Sequence, residues 1–211
     1  MRLYTYHRNS AGERVRIALA LKGLDYDYVS VPSLADRAYR AINPQGLMPA
    51  LELDEGHIVA QSGAILDYLE ETYPTPSLLP SDPVVKAQAR AFGLFISAEM
   101  HALSVVRVRK FLVDGLGASQ EGVAAWVYHW IDQGFATLEA TLEQRRQDWP
   151  YCFGDQPGWA DLHLIPQLRS ARRLGCQVDG YRNLLAIEAR CAGLKAFIAA
   201  RPDRQPDYVA S

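Results

Sequence analysis

The sequence predicts a small α/β domain built on a mixed sheet, followed by an all-helical domain. Three observations carry this. Over the first 80 residues the apolar positions switch repeatedly between strand and helix periods. The segment YPTPSLLPSDP, Tyr73 to Pro83, then carries four prolines, which neither a helix nor a central strand tolerates. Everything beyond it reads as helix.

Taken in order, Leu3, Tyr4 and Tyr6 mark a short strand that starts almost at the first residue. Glu13 to Lys22 follows as a helix. Val15, Ala18 and Leu19 form its stripe, Ile17 and Leu21 lie beside them, and Gly23 is placed as a left-handed stop. Tyr26 to Val31 is a second strand, and a weaker helix from Leu34 to Ile42 is broken by Asn43-Pro44. Ala50 to Leu53, the turn Asp54-Glu55-Gly56 and His57 to Ala60 read as a hairpin. Ser62 opens another helix whose buried face is Ile65, Leu66 and Leu69. The order is βαβ, a connection, then ββα, which describes a mixed sheet with helices packed on it.

The proline-rich segment is an extended linker that separates a domain at 1–80 from one at 86–211. Beyond it, helices are predicted from Val84 to Val113, Ser119 to Arg146, Gly158 to Leu174, Tyr181 to Ala192 and Leu194 to Ala200. Gly115, Gly117 and Trp149-Pro150 mark breaks.

Composition narrows the function. Hydrophobic residues make up 49% of the 211 and charged residues 22%, the balance of a soluble globular protein. A net charge of −2 gives no electrostatic reason to expect nucleic acid or an acidic membrane as partner. No apolar run approaches the roughly 20 residues of a membrane span. The start MRLYTYHRNS lacks the apolar region of a secretory signal. The three cysteines, Cys152, Cys176 and Cys191, show no two-residue spacing, and the five histidines are scattered. The expectation is reduced thiols in a cytoplasmic protein with no metal site.

Three segments carry chemical signals. In NPQGLMPAL, a proline between a loop and a hairpin suits a cis peptide at Met48-Pro49. Such a bend turns the Met48 backbone outward, where it could pair with a bound peptide as an added strand; a plain rigid turn fits equally well. Ser62 at a helix start is a cap, or with the helix dipole it holds an anion. A carboxylate at Ser62 beside a strand-like contact at Met48 is what an extended γ-glutamyl tripeptide requires, and the two features together favour binding. In the loop His7 to Arg14, small polar residues precede a helix. A sulfur there would be favoured as thiolate, although Ser10 could simply start the helix.

MRLYTYHRNSAGERVRIALALKGLDYDYVSV, NPQGLMPALE, QSGAILDYLEETYP and FGDQPGWADLHLIPQLRSARR resemble a glutathione transferase, closest to the zeta class that includes maleylacetoacetate and maleylpyruvate isomerases. The likeness covers essentially the whole chain. It implies a thioredoxin-like first domain, a helical domain contributing the substrate pocket, and a homodimer. It also implies a glutathione site of Met48, Pro49, Gln61 and Ser62, with the thiol near residues 9 to 11. The zeta pattern in that loop is Arg-Ser-Ser-Cys; here it is Arg8-Asn9-Ser10-Ala11, so the Asn9 amide or the Ser10 hydroxyl would donate to the thiolate.

Arg8, Arg107 and Arg173 match positions where the maleyl-substrate enzymes place a cation. Each alone could be a solvated surface charge. Together they suit a substrate with two or more carboxylates, which guanidinium forks bind bidentately, and they would stabilise the enolate formed on thiolate addition. Rotation and loss of glutathione would then turn cis into trans.

His101-Ala102-Leu103-Ser104-Val105-Val106-Arg107 keeps the ends of a family segment and loses its polar middle, so a pocket wall is more apolar. The implied activity is therefore isomerisation of a maleyl dicarboxylate. The alternatives are conjugation or dehalogenation of a small electrophile, or a non-catalytic binding module. Asp161 is read as structural, with Gly158 where the family's capping hydroxyl is usual. Trp126, Tyr128, Trp130 and Phe135 are read as packing, and His7, which replaces a family aromatic, as a filler.

Overall fold

The structure, a computed structural model, describes residues 1–33 and 35–209. They fall into two compact units, Met1–Leu78 with Cys191–Ser211, and Leu79–Arg190. The division falls in the proline-rich segment. Cys191–Ser211 group with the first unit, which the boundaries 1–80 and 86–211 do not anticipate.

The first unit contains β1 (Arg2–Thr5), α1 (Ser10–Lys22), β2 (Asp27–Ser30), α2 (Arg37–Ile42), β3 (Ala50–Glu52), β4 (Ile58–Ala60) and α3 (Ser62–Thr72). The sheet order is β2-β1-β3-β4. β1 and β2 run parallel, and the other two pairings are antiparallel, so the sheet is mixed as predicted. The weak helix expected from Leu34 starts at Arg37, where the Asp36 carboxylate accepts from the Ala38 N–H; Leu34 itself lies outside the described residues. Tyr4 and Ala50 pack with Val31 and Tyr39 on one face of the sheet. Leu3 and Leu51, one residue along, are fully buried on the other.

The predicted stripe of α1 is buried, but so is every residue from Ser10 to Leu19, including Glu13, Arg14 and Arg16; Leu21 is half-buried. α1 packs against α3 and against α10 (Lys195–Ala199), a helix supplied by the C-terminal segment. Its last charged residue, Lys22, has a fully buried side chain. Lys22 Nζ donates to Glu70 at 2.9 Å and to the carbonyls of Tyr73 at 2.6 Å and Pro76 at 2.9 Å. Glu70 in turn accepts from the Ser77 hydroxyl and the Leu78 N–H. The proline-rich segment is thus anchored on one buried ion pair.

The second unit contains α4 (Pro83–Phe95), a π-helical turn (Ile96–His101), α5 (Ala102–Ser104), α6 (Val106–Asp114), α7 (Gln120–Glu143) and α8 (Trp159–Arg173), and α9 (Arg182–Ala192) begins in it. The single helix expected from Val84 to Val113 is broken. The Ser104 hydroxyl donates back to the carbonyls of Met100 and His101, a habit that bends helices. Val105 is then extended (φ −67°, ψ 157°), and α6 starts afresh. By length and composition alone Pro83–Asp114 would suffice to cross a membrane, which corrects the expectation that no apolar run approaches that length. Residues 91–106 carry one charge, Glu99. Their buried positions are Phe92, Gly93, Ile96, Met100 and Ser104, spaced by three or four residues apart from the adjoining Gly93, the stripe of a helix facing a core. At Gly93 an added Cβ would lie 2.8 Å from His163 Nδ1 and 2.9 Å from Trp159, so glycine permits the close approach of α4 and α8.

Of the expected packing aromatics, Phe135 is fully buried, Trp126 and Trp130 are half-buried with ring centroids 5.7 Å apart, and Tyr128 is 43% exposed. Asp161 is structural as read. It is 1% exposed, and its oxygens accept from the N–H of Cys152 at 3.0 Å and of Gly158 at 2.8 Å. Asp161→Ala strands two backbone donors and is expected to cost about 3–5 kcal/mol, at roughly 1–3 kcal/mol per unmet buried donor plus the lost cap. Urea unfolding with an unchanged m-value would measure it.

Candidate active site

The sheet register decides which loops meet. Tyr4 of β1 pairs with Ala50 of β3, which pairs with Ala60 of β4. β1 therefore leaves the sheet at the same end where β3 enters and β4 leaves. The loop at 6–9, the Met48-Pro49 bend and the start of α3 at Gln61-Ser62 all emerge there. The structure thus collects Arg8, Asn9, Ser10, Met48, Pro49, Gln61 and Ser62 at one end of one sheet.

The Met48-Pro49 peptide is cis, one of the two readings that the proline's placement leaves open. The Met48 side chain packs against the cluster of Tyr4, Val31, Tyr39 and Ala50. The loop before it is held by α2, since the Leu47 carbonyl accepts from Tyr39 Oη at 2.7 Å and Asn43 Nδ2 at 2.8 Å. The Met48 side chain is thus anchored on the sheet, and β3 starts two residues later at Ala50. In the sequence Asn43 registers only as a helix break; it is also the support of this loop.

At the start of α3, Gln61 has φ 72° and ψ 123°, the one non-glycine residue with positive φ among the described residues. Such a conformation costs on the order of 1–3 kcal/mol and concentrates at functional sites. Gln61 Nε2 donates to Gln45 Oε1 at 2.6 Å, tying the start of α3 to the loop before Met48. Gln61 makes no side-chain cap, and Ser62, 6% exposed, is the first residue of the helix. Arg14 Nη1 donates to Ser62 Oγ at 3.2 Å. Burial lowers the Arg14 pKa to about 10, so at neutral pH its charge adds to the positive end of the helix dipole. Nothing in the sequence singles out Arg14, which the apolar stripe read for α1 does not include.

At the start of α1, Asn9 (φ −94°, ψ 104°) is the N-cap, and its Oδ1 accepts from the Gly12 N–H. This leaves the Nδ2 amide as its donor side. Ser10 opens the helix and is 8% exposed. Gly12 is required because an added Cβ would lie 2.0 Å from Thr5 Oγ1. Beneath the loop, Arg16 donates to the carbonyls of Tyr6 at 3.3 Å and His7 at 3.2 Å, while Arg8 is exposed. His7 is 4% exposed, its ring 4.2 Å from that of Tyr6. Arg107 and Arg173 belong to the second unit. Arg107 is the second residue of α6 and exposed; Arg173 ends α8, exposed, with Nη2 3.3 Å from Ser170 Oγ. Among the described residues no group of three or more His, Cys, Asp or Glu could hold a metal ion.

One end of the sheet therefore offers an uncapped helix N-terminus over a buried guanidinium, a strand-like main chain, and a second helix N-terminus with small polar donors. Residues 3–77 match the family model of the glutathione S-transferase N-terminal domain, and residues 120–200 that of the C-terminal domain. The chain belongs to the glutathione S-transferase family. This transferase is 43% identical to the maleylacetoacetate isomerase of Pseudomonas aeruginosa, the match spanning 100% of each chain. A holo structure of a maleylpyruvate isomerase, described as a bacterial glutathione S-transferase of the zeta class, superposes with a TM-score of 0.95 at 38% identity, covering 99% of the transferase and 100% of that chain. The maleylacetoacetate isomerase of Methylobacterium extorquens AM1, with malonate and glutathione bound, also gives 0.95, at 36% identity over 100% of both chains.

Proposed function

We propose that this transferase is a glutathione-dependent cis–trans isomerase of a maleyl dicarboxylate of the maleylacetoacetate or maleylpyruvate type. The observation that carries the reading is the convergence at one sheet end of Ser62 over Arg14, the Met48 main chain, and Asn9-Ser10, in a chain whose relatives bear those names. The residues fit the tripeptide. The start of α3 with Ser62 and Gln61 suits the γ-glutamyl carboxylate, and the Met48 main chain beside Pro49 suits an extended peptide. The start of α1 suits the sulfur.

Glutathione, when bound, supplies the nucleophilic thiolate whose reversible addition to the olefin allows rotation. This chain's residues do the rest. The Asn9 amide, the Ser10 hydroxyl and the α1 dipole favour the ionised sulfur. By their family positions Arg8, Arg107 and Arg173 take the substrate carboxylates and the charge that develops as an enolate. Family membership also supports a cytoplasmic homodimer whose helical residues from about 86 supply the substrate pocket.

The test is the loss of maleylpyruvate or maleylacetone absorbance with purified protein, with and without glutathione. Catalytic conversion to the trans isomer that requires glutathione is the expected result. One observation favours a second reading: Asn9 stands where the zeta pattern has serine, and its oxygen is committed to capping α1. Glutathione binding without isomerisation would shift the assignment to conjugation or dehalogenation of an uncharged electrophile, and binding with no turnover of either kind to a binding module.

A further inference from the structure

Asp207 lies in the C-terminal segment, just beyond the short 3₁₀ turn Pro202–Arg204. Its side chain is 13% exposed. Oδ1 accepts from Tyr28 Oη at 2.8 Å, and Oδ2 accepts from Ser30 Oγ at 2.7 Å and from the His7 backbone N–H at 3.3 Å. Tyr28 and Ser30 are two apart on β2 and so share a face. They pair with Leu3 and Thr5 of β1, so the carboxylate sits where β1 runs out into the loop that carries Asn9 and Ser10.

We infer that Asp207 is a positioning residue for the thiolate-binding loop, holding Tyr6–Asn9 against the end of the sheet through the His7 N–H. The inference rests on the glutathione reading above. The loop backbone is gripped by opposite charges. Asp207 takes the amide of His7, and Arg16 donates to the carbonyls of Tyr6 and His7. Arg16 Nε also donates to the Ala200 carbonyl at 3.1 Å, so the C-terminal segment supports both halves of the grip. From His7 the chain closes a turn in which the Asn9 N–H donates to the Tyr6 carbonyl at 2.9 Å, which passes the position of His7 directly to the N-cap of α1.

Burial works to raise the Asp207 pKa, but the bonds from Ser30, Tyr28 and the His7 N–H outweigh it, so Asp207 is ionised at neutral pH. The His7 ring stands with Nδ1 3.5 Å from Asp207 Oδ1 and faces Arg8 and Arg16 as charges and Tyr6 and Tyr208 as rings. Burial holds its pKa below the ordinary imidazole value, so it is neutral at neutral pH. A misplacement of about 1 Å at a reacting group can cost 10²-fold in rate, so a grip three residues from Ser10 governs chemistry without touching ligand.

The experiment titrates the ultraviolet thiolate absorbance of glutathione bound to the full-length protein and measures glutathione affinity by calorimetry. Asp207→Ala is expected to raise the pKa of the bound thiol by about one unit, a tenfold loss of thiolate at pH well below that pKa, with little change in glutathione affinity. The double variant Tyr28→Phe/Ser30→Ala keeps the carboxylate but removes its two hydroxyl anchors. It is expected to shift the pKa the same way by less, and it carries the test if Asp207→Ala does not fold. Asp203→Ala, in the same segment and paired with Arg201, leaves the titration unchanged. An unshifted thiol pKa in variants that bind glutathione would overturn the positioning role alone. A wild-type protein that binds no glutathione would overturn the glutathione reading and this inference with it.

Discussion

Ser62→Ala is expected to weaken glutathione binding by about 10- to 100-fold, the loss of one hydrogen bond to a charged group at roughly 1.5–3 kcal/mol. Because Arg14 donates to the Ser62 oxygen, that bond does not use the hydroxyl hydrogen, which a ligand carboxylate in front of α3 would accept. The preceding residue makes no side-chain cap, so this hydroxyl and the first-turn N–H groups are the donors that a ligand carboxylate meets. The alanine variant removes the donor and takes an acceptor from a buried Arg14. Ser62→Thr keeps both roles and should retain most of the affinity. Calorimetric titration with glutathione decides the matter, and an alanine variant that binds like the wild type would remove Ser62 from the site.

Glu70→Ala should cost about 3–5 kcal/mol, a loss of the same size as that of Asp161→Ala and the usual result of stranding one charge of a buried pair. For a chain of this size that lowers Tm by roughly 6–20 °C. Lys22 would keep two carbonyl acceptors but lose its counter-charge, while Ser77 and Leu78 would lose the carboxylate that holds the segment after α3. The double variant Lys22→Met/Glu70→Met should be less destabilised than Glu70→Ala, since no charge is left buried.

The pH dependence follows from the same pair. Burial alone would raise the Glu70 pKa, but bonds from Lys22, Ser77 and Leu78 bring it below the ordinary value. A carboxyl whose folded pKa is depressed contributes stability that is present above its unfolded pKa, about 4.3, and lost as pH falls through the folded value. The wild type should therefore lose this contribution on acidification below about pH 4, and Glu70→Ala should show no such loss. Thermal melts across that range would test it.

Much of the fold was legible in the sequence because its signals are local. Period two against period 3.6 yields the strand and helix order, Gly23 stops α1, and Pro49 marks the bend that positions Met48. Asn9 was legible too, since a short polar residue before a helix is a cap signal; reading it only as a thiolate donor passed over that half of its role. What was hidden depends on distant chain. A one-sided stripe on α1 leaves Arg14 and Arg16 in solvent, and only a helix covered by both α3 and α10 buries them. Gln61 gives no local hint of a positive φ, which it adopts at the start of α3 where its side chain donates to Gln45 sixteen residues away. Asp207 meets the His7 N–H across 200 residues of sequence, beyond the reach of any window. The break at Val105 was hidden for the opposite reason: Ser104 and Val105 are ordinary helix residues, and the back-bonding that bends the chain shows only in three dimensions.

The grouping of Cys191–Ser211 with Met1–Leu78 also bears on how the molecule is made. A ribosome releases β1 to α3 first, yet the Ala200 carbonyl that accepts from Arg16 and the carboxylate of Asp207 follow the whole of Leu79–Arg190 in the chain. The unit that contains β1 is completed only after the whole of the helical unit has emerged, even though domains more often fold in the order of their synthesis. A nascent chain stalled at Arg190 would hold the helical unit together with a first unit still lacking α10 and its carboxylate clamp.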